Sequence, residues 1–322
     1  MKPALLATWA YCVLGACKFG WDIGAVNLPI NYITCWLEGQ KYNATFSDWQ
    51  TACENSNNLA SENNEIFSDG TSYWSLCVAL FGVGAAVAGI FTGVLNDKLG
   101  RKNLILYNAI LGVFSSSLMG ASRVLSSPGL LLTCRILVGV NAAISVGTAP
   151  PYLSEIAPAG KLGLFGISFQ LGVSTAMLLS QIIGLPWLLG TNSGWDVVLG
   201  LSAVFPAIQI ILYFFVAESP KYLMSKGEMG KAAGEQNRLF DDKLEIITND
   251  DLEATNSVSF LSVFKIPKVF KALQVGAYLN LTQQLCGANA VMFYSAFKMR
   301  VQDLVVILRF QIGNCELVGH QF

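Results

Sequence analysis

The chain has 322 residues, of which 53% are hydrophobic and 13% charged, with a formal net charge of −1. A soluble domain carries about a quarter charged residues, and a charge at the centre of a bilayer costs on the order of 3 kcal/mol or more, so this composition predicts an all-α membrane protein. The near-zero net charge excludes a nucleic-acid surface, a single histidine (His320) argues against histidine catalysis or a multi-histidine metal site, and the eight cysteines show no metal-ligand spacing.

Stretches of about 20 mostly apolar residues mark bilayer-crossing helices. The first runs from Pro3 to Ile23 and contains Lys18 and Asp22 within LGACKFGWDIGAVN. It is too long for a signal peptide, carries charges and lacks a small-residue cleavage site, so it reads as a retained helix. Lys18 lies one turn before Asp22 and is placed to neutralise it. A polar loop follows, Gly24 to Ser72, with Lys41 against Glu38, Asp48, Glu54, Glu62, Glu65 and Asp69. It holds the sequon Asn43-Ala44-Thr45, a glycan acceptor if the loop is extracellular. Cys35 and Cys53 lie in or near this loop and are candidates for a disulfide there; most other cysteines sit in apolar runs and read as small packing residues.

The second span, Tyr73 to Leu95, leads into GVLNDKLGRK, Gly93 to Lys102, read as a short basic loop. Gly89 and Gly93 are expected to let two helices approach closely. Asp97 is expected to pair with Arg101 or to cap the next helix. The third span is Asn103 to Arg123 and the fourth Leu130 to Pro150. Arg135 falls inside the fourth apolar run, so it must face the protein interior or water and find a partner. Pro150 and Pro151 are expected to break that helix, with Glu155 following in PPYLSEIAP.

The fifth span, Leu162 to Trp187, carries Gln170 in SFQLG. The sixth, Asp196 to Val216, ends in AESPKYL, with Glu218 just beyond. A long segment, Glu218 to Lys271, is rich in both signs of charge, with a short helix expected over Gly230 to Phe240 and a linker over Asn249 to Ser259. The seventh span, Ala272 to Phe293, runs into QQLCGANAVMFYS, Gln283 to Ser295. Neutral amides both donate and accept hydrogen bonds, so Gln283, Gln284 and Asn289 suit a ligand with many hydroxyl groups. Such amides are costly against lipid and should face the interior. The lysine and arginine bias of the loops puts the N-terminus and the even-numbered connections in the cytosol and the Asn43 loop outside. Four parts follow: residues 1–217 as a six-helix half, 218–271 as cytosolic linker, 272–295 as a seventh span, and 296–322 as an atypical tail. A weak repeat between three-helix units is expected of such an architecture, although no residue pattern displays it.

These motifs together resemble the sugar transporters of the major facilitator superfamily, and the QQLCGANAVMFYS segment resembles the seventh-helix signature of facilitative hexose transporters. The resemblance covers Gly15 to Ser295. It implies a six-helix half bundle plus one further helix, with Gln170, Gln283, Gln284 and Asn289 as sugar ligands. Asp97, Arg101, Lys102, Glu155 and Glu218 become a cytosolic gate. The sequence departs from the family at Lys161-Leu162, where arginine is expected at Leu162, and lysine cannot reproduce bidentate arginine geometry. Lys221 likewise replaces a more usual arginine. Facilitative members commonly have asparagine where Asp22 stands; proton-coupled members have aspartate, working with the arginine that matches Arg135. The implied function is passive transport of a hexose such as glucose, in a plasma membrane. Proton-coupled symport through Asp22 and Arg135 is the alternative. So is a shortened, non-transporting form that associates with full-length transporters or with itself, because the resemblance ends after Ser295 where the family continues for five helices. No nucleophile, metal cluster, phosphate loop or cofactor motif points to an enzyme.

Overall fold

The computed structural model describes residues 2–27, 29–41, 68–158, 160–185, 187–191, 193–240 and 267–286. The helices are α1 (Pro3–Gly24), α2 (Ile30–Lys41), α3 (Ser68–Leu99), α4 (Arg101–Ala121), α5 (Pro128–Ile156), α6 (Leu162–Ile183), α7 (Trp195–Gly200), α8 (Val204–Leu212), α9 (Pro220–Ser225), α10 (Met229–Leu239) and α11 (Pro267–Leu285). Helix α7 runs through a 3₁₀ turn, Leu201–Ala203, into α8, which ends in a second, Tyr213–Phe215. Six helical segments are long and apolar enough to cross a membrane: α1, α3, α4, α5, α6 and the continuous stretch Trp195–Phe215. They match the first six expected spans. Of the seventh, α11 supplies the first half, and residues 287–293 lie outside the described set.

Two boundaries differ from expectation for identifiable reasons. GVLNDKLGRK is not a loop: α3 continues to Leu99 and α4 begins at Arg101, with Gly100 alone turning the chain at φ 83°. That positive φ is open to glycine at little cost. Nor do Pro150 and Pro151 break α5, which continues to Ile156. Pro151 has no N–H for the carbonyl of Gly147, four residues back. The side-chain amide of Asn96 on α3 donates to that carbonyl at 3.3 Å instead, so the lost bond is replaced from a neighbouring helix.

The core falls into two apolar clusters. One, around Trp21, Ile30, Trp36, Trp74, Leu131 and Trp195, fills the end of the bundle that carries α2. The other, around Leu5, Tyr11, Ile105, Tyr152, Phe165 and Val216, fills the end that carries Lys98, Arg101 and Lys102, called here the basic end. Leu239 of α10 belongs to the second cluster, so the first part of the expected linker packs on the bundle. Lys2 reinforces this by donating to the carbonyls of Asn237 (2.6 Å) and Phe240 (2.8 Å).

Contacts within the bundle carry the repeat that residue identities conceal. Spans one to three are α1, α3 and α4; spans four to six are α5, α6 and α7–α8. The most extensive packing joins α3 to α5 and α1 to α6, the first helix of one unit on the middle helix of the other. Both crossings run on glycine. A Cβ on Gly139 would lie 3.0 Å from the Ala85 nitrogen of α3, and one on Gly20 would lie 2.9 Å from the Val173 Cα of α6. The last helix of each unit then donates an amide to the first helix of the other: Asn108 Nδ2 to the Asn141 carbonyl (3.0 Å), and Gln209 Nε2 to the Tyr11 carbonyl (2.7 Å). A Cβ on either of the glycines expected to bring helices together, Gly89 and Gly93, would meet no other helix within 4 Å among the described residues. They lie on the open side of α3, beside exposed Ile90, Phe91 and Val94.

Candidate functional site

The bundle also buries polar side chains, Lys18, Asp22, Asn108, Arg135, Asn141, Ser145 and Gln209, with Arg135 against Cys77 and Phe81 of the first apolar cluster. Each lies within a bilayer-length helical segment, Asp22 in the last turn of α1. Unpaired polar groups at such depth cost several kcal/mol each, so the partners matter. Asn108 and Asn141 bond reciprocally, Asn141 Nδ2 donating to the Asn108 carbonyl at 2.7 Å, and Asn108 also donates to Ser145 Oγ at 2.9 Å. The sequence reading missed these two asparagines and Gln209. An amide inside each of three apolar runs was the available signal.

The charged members are Lys18, Asp22 and Arg135, each no more than 2% exposed. The Lys18 ammonium is bonded to Asp22 Oδ2, as the one-turn spacing suggested. Asp22 Oδ1 has no hydrogen-bond partner among the described residues. Arg135 is not paired with Asp22. Its Nε donates to the Cys77 carbonyl of α3 at 3.4 Å, its guanidinium lies 5.2 Å from the Phe81 ring centroid, and Nη1 and Nη2 have no hydrogen-bond partner among the described residues. Two cations thus face one carboxylate.

At the basic end, the expected partners are rearranged. Arg101 Nη2 bonds Glu155 Oε1 at 3.0 Å, with the two side chains 17% and 14% exposed. Arg101 Nη1 also donates to the Asn96 carbonyl. Asp97, expected to pair with Arg101 or cap α4, is exposed and makes no hydrogen bond or ion pair among the described residues. Glu218 caps that helix instead: its Oε1 accepts from the backbone N–H of Lys102 (3.1 Å) and of Ser219 (3.0 Å). A carboxylate suits the positive end of a helix. Gly100 is needed here a second time, since a Cβ would come within 2.8 Å of Glu218 Oε2 and of the Tyr222 ring. The Lys102 ammonium lies over the Tyr213 ring, 4.5 Å from its centroid. Lys161, one position before Leu162 where arginine was expected, is exposed at the start of α6 and caps nothing with its side chain. A pocket of about 580 Å³ opens between α4, α9 and α10. Lys102, Lys231 and Arg238 face Glu218, Glu228 and Glu235 around it, so it offers a ligand no net charge.

Burial holds the Glu218 carboxyl above the usual glutamate value of 4.5; N–H groups of Ser219, Lys102 and Arg101 and the Arg101 charge pull it down without cancelling that. A raised value in the folded state means that ionising Glu218 costs stability. The contribution is fully present below the unfolded value and is lost as the pH rises through the folded one. Glu218→Gln keeps an acceptor for both N–H groups and is expected to match the wild type at low pH and to exceed it near neutrality. Glu218→Ala strands the donors and should cost about 1–3 kcal/mol. Thermal unfolding in detergent across pH checks both, and a pH-independent difference between wild type and the glutamine variant would contradict the assignment.

The expected sugar ligands are only partly in view. Gln170 on α6 and Gln283 on α11 are exposed, and neither hydrogen-bonds another described residue. The Gln284 side chain and Asn289 lie outside the described residues, as do Asn43 and Cys53. Cys35 is disulfide-bonded. Among the described residues no cluster of histidine, cysteine or carboxylate could hold a metal ion.

The sequence pattern of the family described as Sugar (and other) transporter matches residues 8–299. The chain is 34% identical over 300 residues to mouse "Solute carrier family 2, facilitated glucose transporter member 5", covering 90% of this chain and 56% of that one. It is 31% identical over 296 residues to "Facilitated glucose transporter protein 1" of Caenorhabditis elegans, covering 89% and 54%. The chain therefore spans about half the length of the curated relatives it matches. Among solved structures it superposes on the proton:xylose symporter XylE of E. coli with a TM-score of 0.72 at 18% identity, covering 97% of this chain and 67% of that one. The all-helical bundle, its paired crossings and a match over most of its length agree: the chain belongs to the Sugar (and other) transporter family and has the major facilitator fold.

Proposed function

We propose that this chain forms the first half of a transporter that carries a hexose such as glucose across the plasma membrane by passive alternating access. The sugar assignment rests on the family and on relatives named as facilitated glucose transporters. The passive assignment rests on one observation, the buried Lys18–Asp22 pair, in which a fixed cation already occupies the carboxylate. The second reading, proton-coupled symport through Asp22 and Arg135, draws on Asp22 Oδ1, which no described group satisfies. The open glycines of α3 (Gly82, Gly89, Gly93) and α6 (Gly163, Gly166) support seating of a second half, or of another copy, against those faces. In this reading Gln170, Gln283, Gln284 and Asn289 bind sugar, while Arg101, Lys102, Glu155 and Glu218 form the cytosolic gate with Asp97 free to meet the second half. The basic end then faces the cytosol, and Asn43 carries a glycan outside.

A fusion of residues 1–286 to the matching second half of the mouse relative, reconstituted in vesicles, tests the proposal. Saturable hexose uptake insensitive to a proton uncoupler is the expected result, and Gln170→Ala should weaken sugar affinity by about 1–3 kcal/mol. Accumulation that an uncoupler abolishes would reject passive transport. Folded fusion protein without hexose uptake would reject the substrate.

A further inference from the structure

We infer that Thr8 and Tyr152 are positioning residues of the cytosolic gate: between them they hold the Ala217 peptide and so aim the Glu218 carboxylate at the start of α4. This deepens the gate proposed for the basic end and rests on it.

Glu218 stands in a segment that no helix holds. Residues 216–219 lie between the 3₁₀ turn Tyr213–Phe215 and the start of α9 at Pro220, with extended backbone at Val216 and Ser219. Val216, Ala217 and Ser219 are nevertheless fully buried. Buried backbone groups outside regular structure must be satisfied from elsewhere. For Ala217 both partners are side chains of other spans. Its N–H donates to Thr8 Oγ1 of α1 at 3.2 Å, and its carbonyl accepts the Tyr152 hydroxyl of α5. The Thr8 hydroxyl donates to the Ala4 carbonyl at 2.7 Å, so its proton is committed and it meets Ala217 as an acceptor. Thr8 and Tyr152 are both fully buried, so solvent does not compete for either bond.

The same face of α1 grips the other side of the cap. Tyr11, one turn after Thr8, donates to the Lys102 carbonyl at 3.1 Å, and the Tyr11 carbonyl is itself bonded by Gln209 of α8. Lys102 is the residue whose N–H Glu218 caps. One turn of α1 therefore holds the capped residue through Tyr11 and, with Tyr152, the capping residue through Ala217. First-turn N–H groups of a helix have no intrahelical acceptor, so the position of Glu218 decides whether that of Lys102 is satisfied. A shift of α1 against α5 pulls Ala217 from one side only and takes the cap with it.

Amide exchange at Lys102 reads the cap directly and involves no sugar, so failure of this inference is separable from failure of the transport reading. The full chain and its variants are placed in lipid nanodiscs, and exchange is followed at single amides. Thr8→Val keeps the shape and removes the acceptor. It is expected to speed exchange at Lys102 by about tenfold or more, as the loss of one hydrogen bond to a charged group requires. Thr8→Ser is expected to restore the wild-type rate. Tyr152→Phe removes only the other bond and should act in the same direction; it carries the test if the valine variant does not fold. Leu130, whose N–H is bonded to Ser127 at the start of α5, packs on the apolar cluster at the other end and is expected to keep its rate in every variant. Equal acceleration at Leu130 and Lys102 would mean that the two side chains support the bundle as a whole. Unchanged exchange at Lys102 in folded variants would mean that Glu218 finds its place unaided. Either result overturns the inference.

Discussion

Asp22→Asn is expected to remove most of the folded protein. Lys18 is 1% exposed, and its bond to Asp22 is the single ion pair it makes among the described residues. Asparagine keeps the shape and one acceptor oxygen but not the charge. The ammonium would be left buried, and breaking one side of such a pair costs about 3–5 kcal/mol. Total stability of a domain is about 5–15 kcal/mol, so the loss is a large share of it. The double variant Lys18→Met/Asp22→Asn removes both charges and is expected to recover most of the loss, because replacing a whole buried pair by neutral groups is often close to neutral. Monodisperse yield and thermal midpoint in detergent measure this. An Asp22→Asn variant as stable as the wild type would show that Lys18 does not need the carboxylate.

Gly139→Leu is the second large effect. A Cβ there would already sit 3.0 Å from Ala85 N and from the Phe81 carbonyl carbon, both backbone atoms of α3. Backbone cannot swing aside as a side-chain tip can, so α3 and α5 must separate along their whole crossing. Overpacking a core typically costs about 1–3 kcal/mol, and here the upper end or beyond is expected. Gly89→Leu on the open side of α3 is the matched control. It meets nothing within 4 Å and trades glycine for a better helix former, so it should be neutral or slightly stabilising in the isolated chain. Equal losses in both variants, read by unfolding temperature, would contradict the crossing geometry. If the Gly89 variant is silent in the isolated chain but blocks the fusion to a second half, the open face of α3 gains its role as a seat.

Much of the fold was legible before any coordinates. Six spans were visible because a bilayer demands about 20 apolar residues per crossing, a constraint written in composition alone. The Lys18–Asp22 pair was legible because a spacing of four residues puts two side chains on one helix face. The short helix expected over Gly230 to Phe240 is present as Met229–Leu239.

Contacts between helices were not. Chain spacing suggested Asp97 as the partner of Arg101 and the cap of α4; the structure gives those roles to Glu155 and Glu218, which lie 54 and 116 residues along the chain from the groups they bond. Prolines 150 and 151 were read as a break because the missing N–H is local, while the group that replaces it, Asn96, comes from another helix. Glycine spacing singled out Gly89 and Gly93, but Gly84, Gly139 and Gly20 are the glycines that bring α3 onto α5 and α1 onto α6. The sequence by itself determined that the chain crosses a membrane, how many times the described part can do so, and which charges share a helix turn, because hydropathy and helical period act on neighbours. Only the tertiary structure decided that Arg135 turns to Cys77 and not to Asp22, and which face of each helix is closed, because those outcomes depend on the rotation of one helix against the next, and rotation is set by packing that no single helix contains.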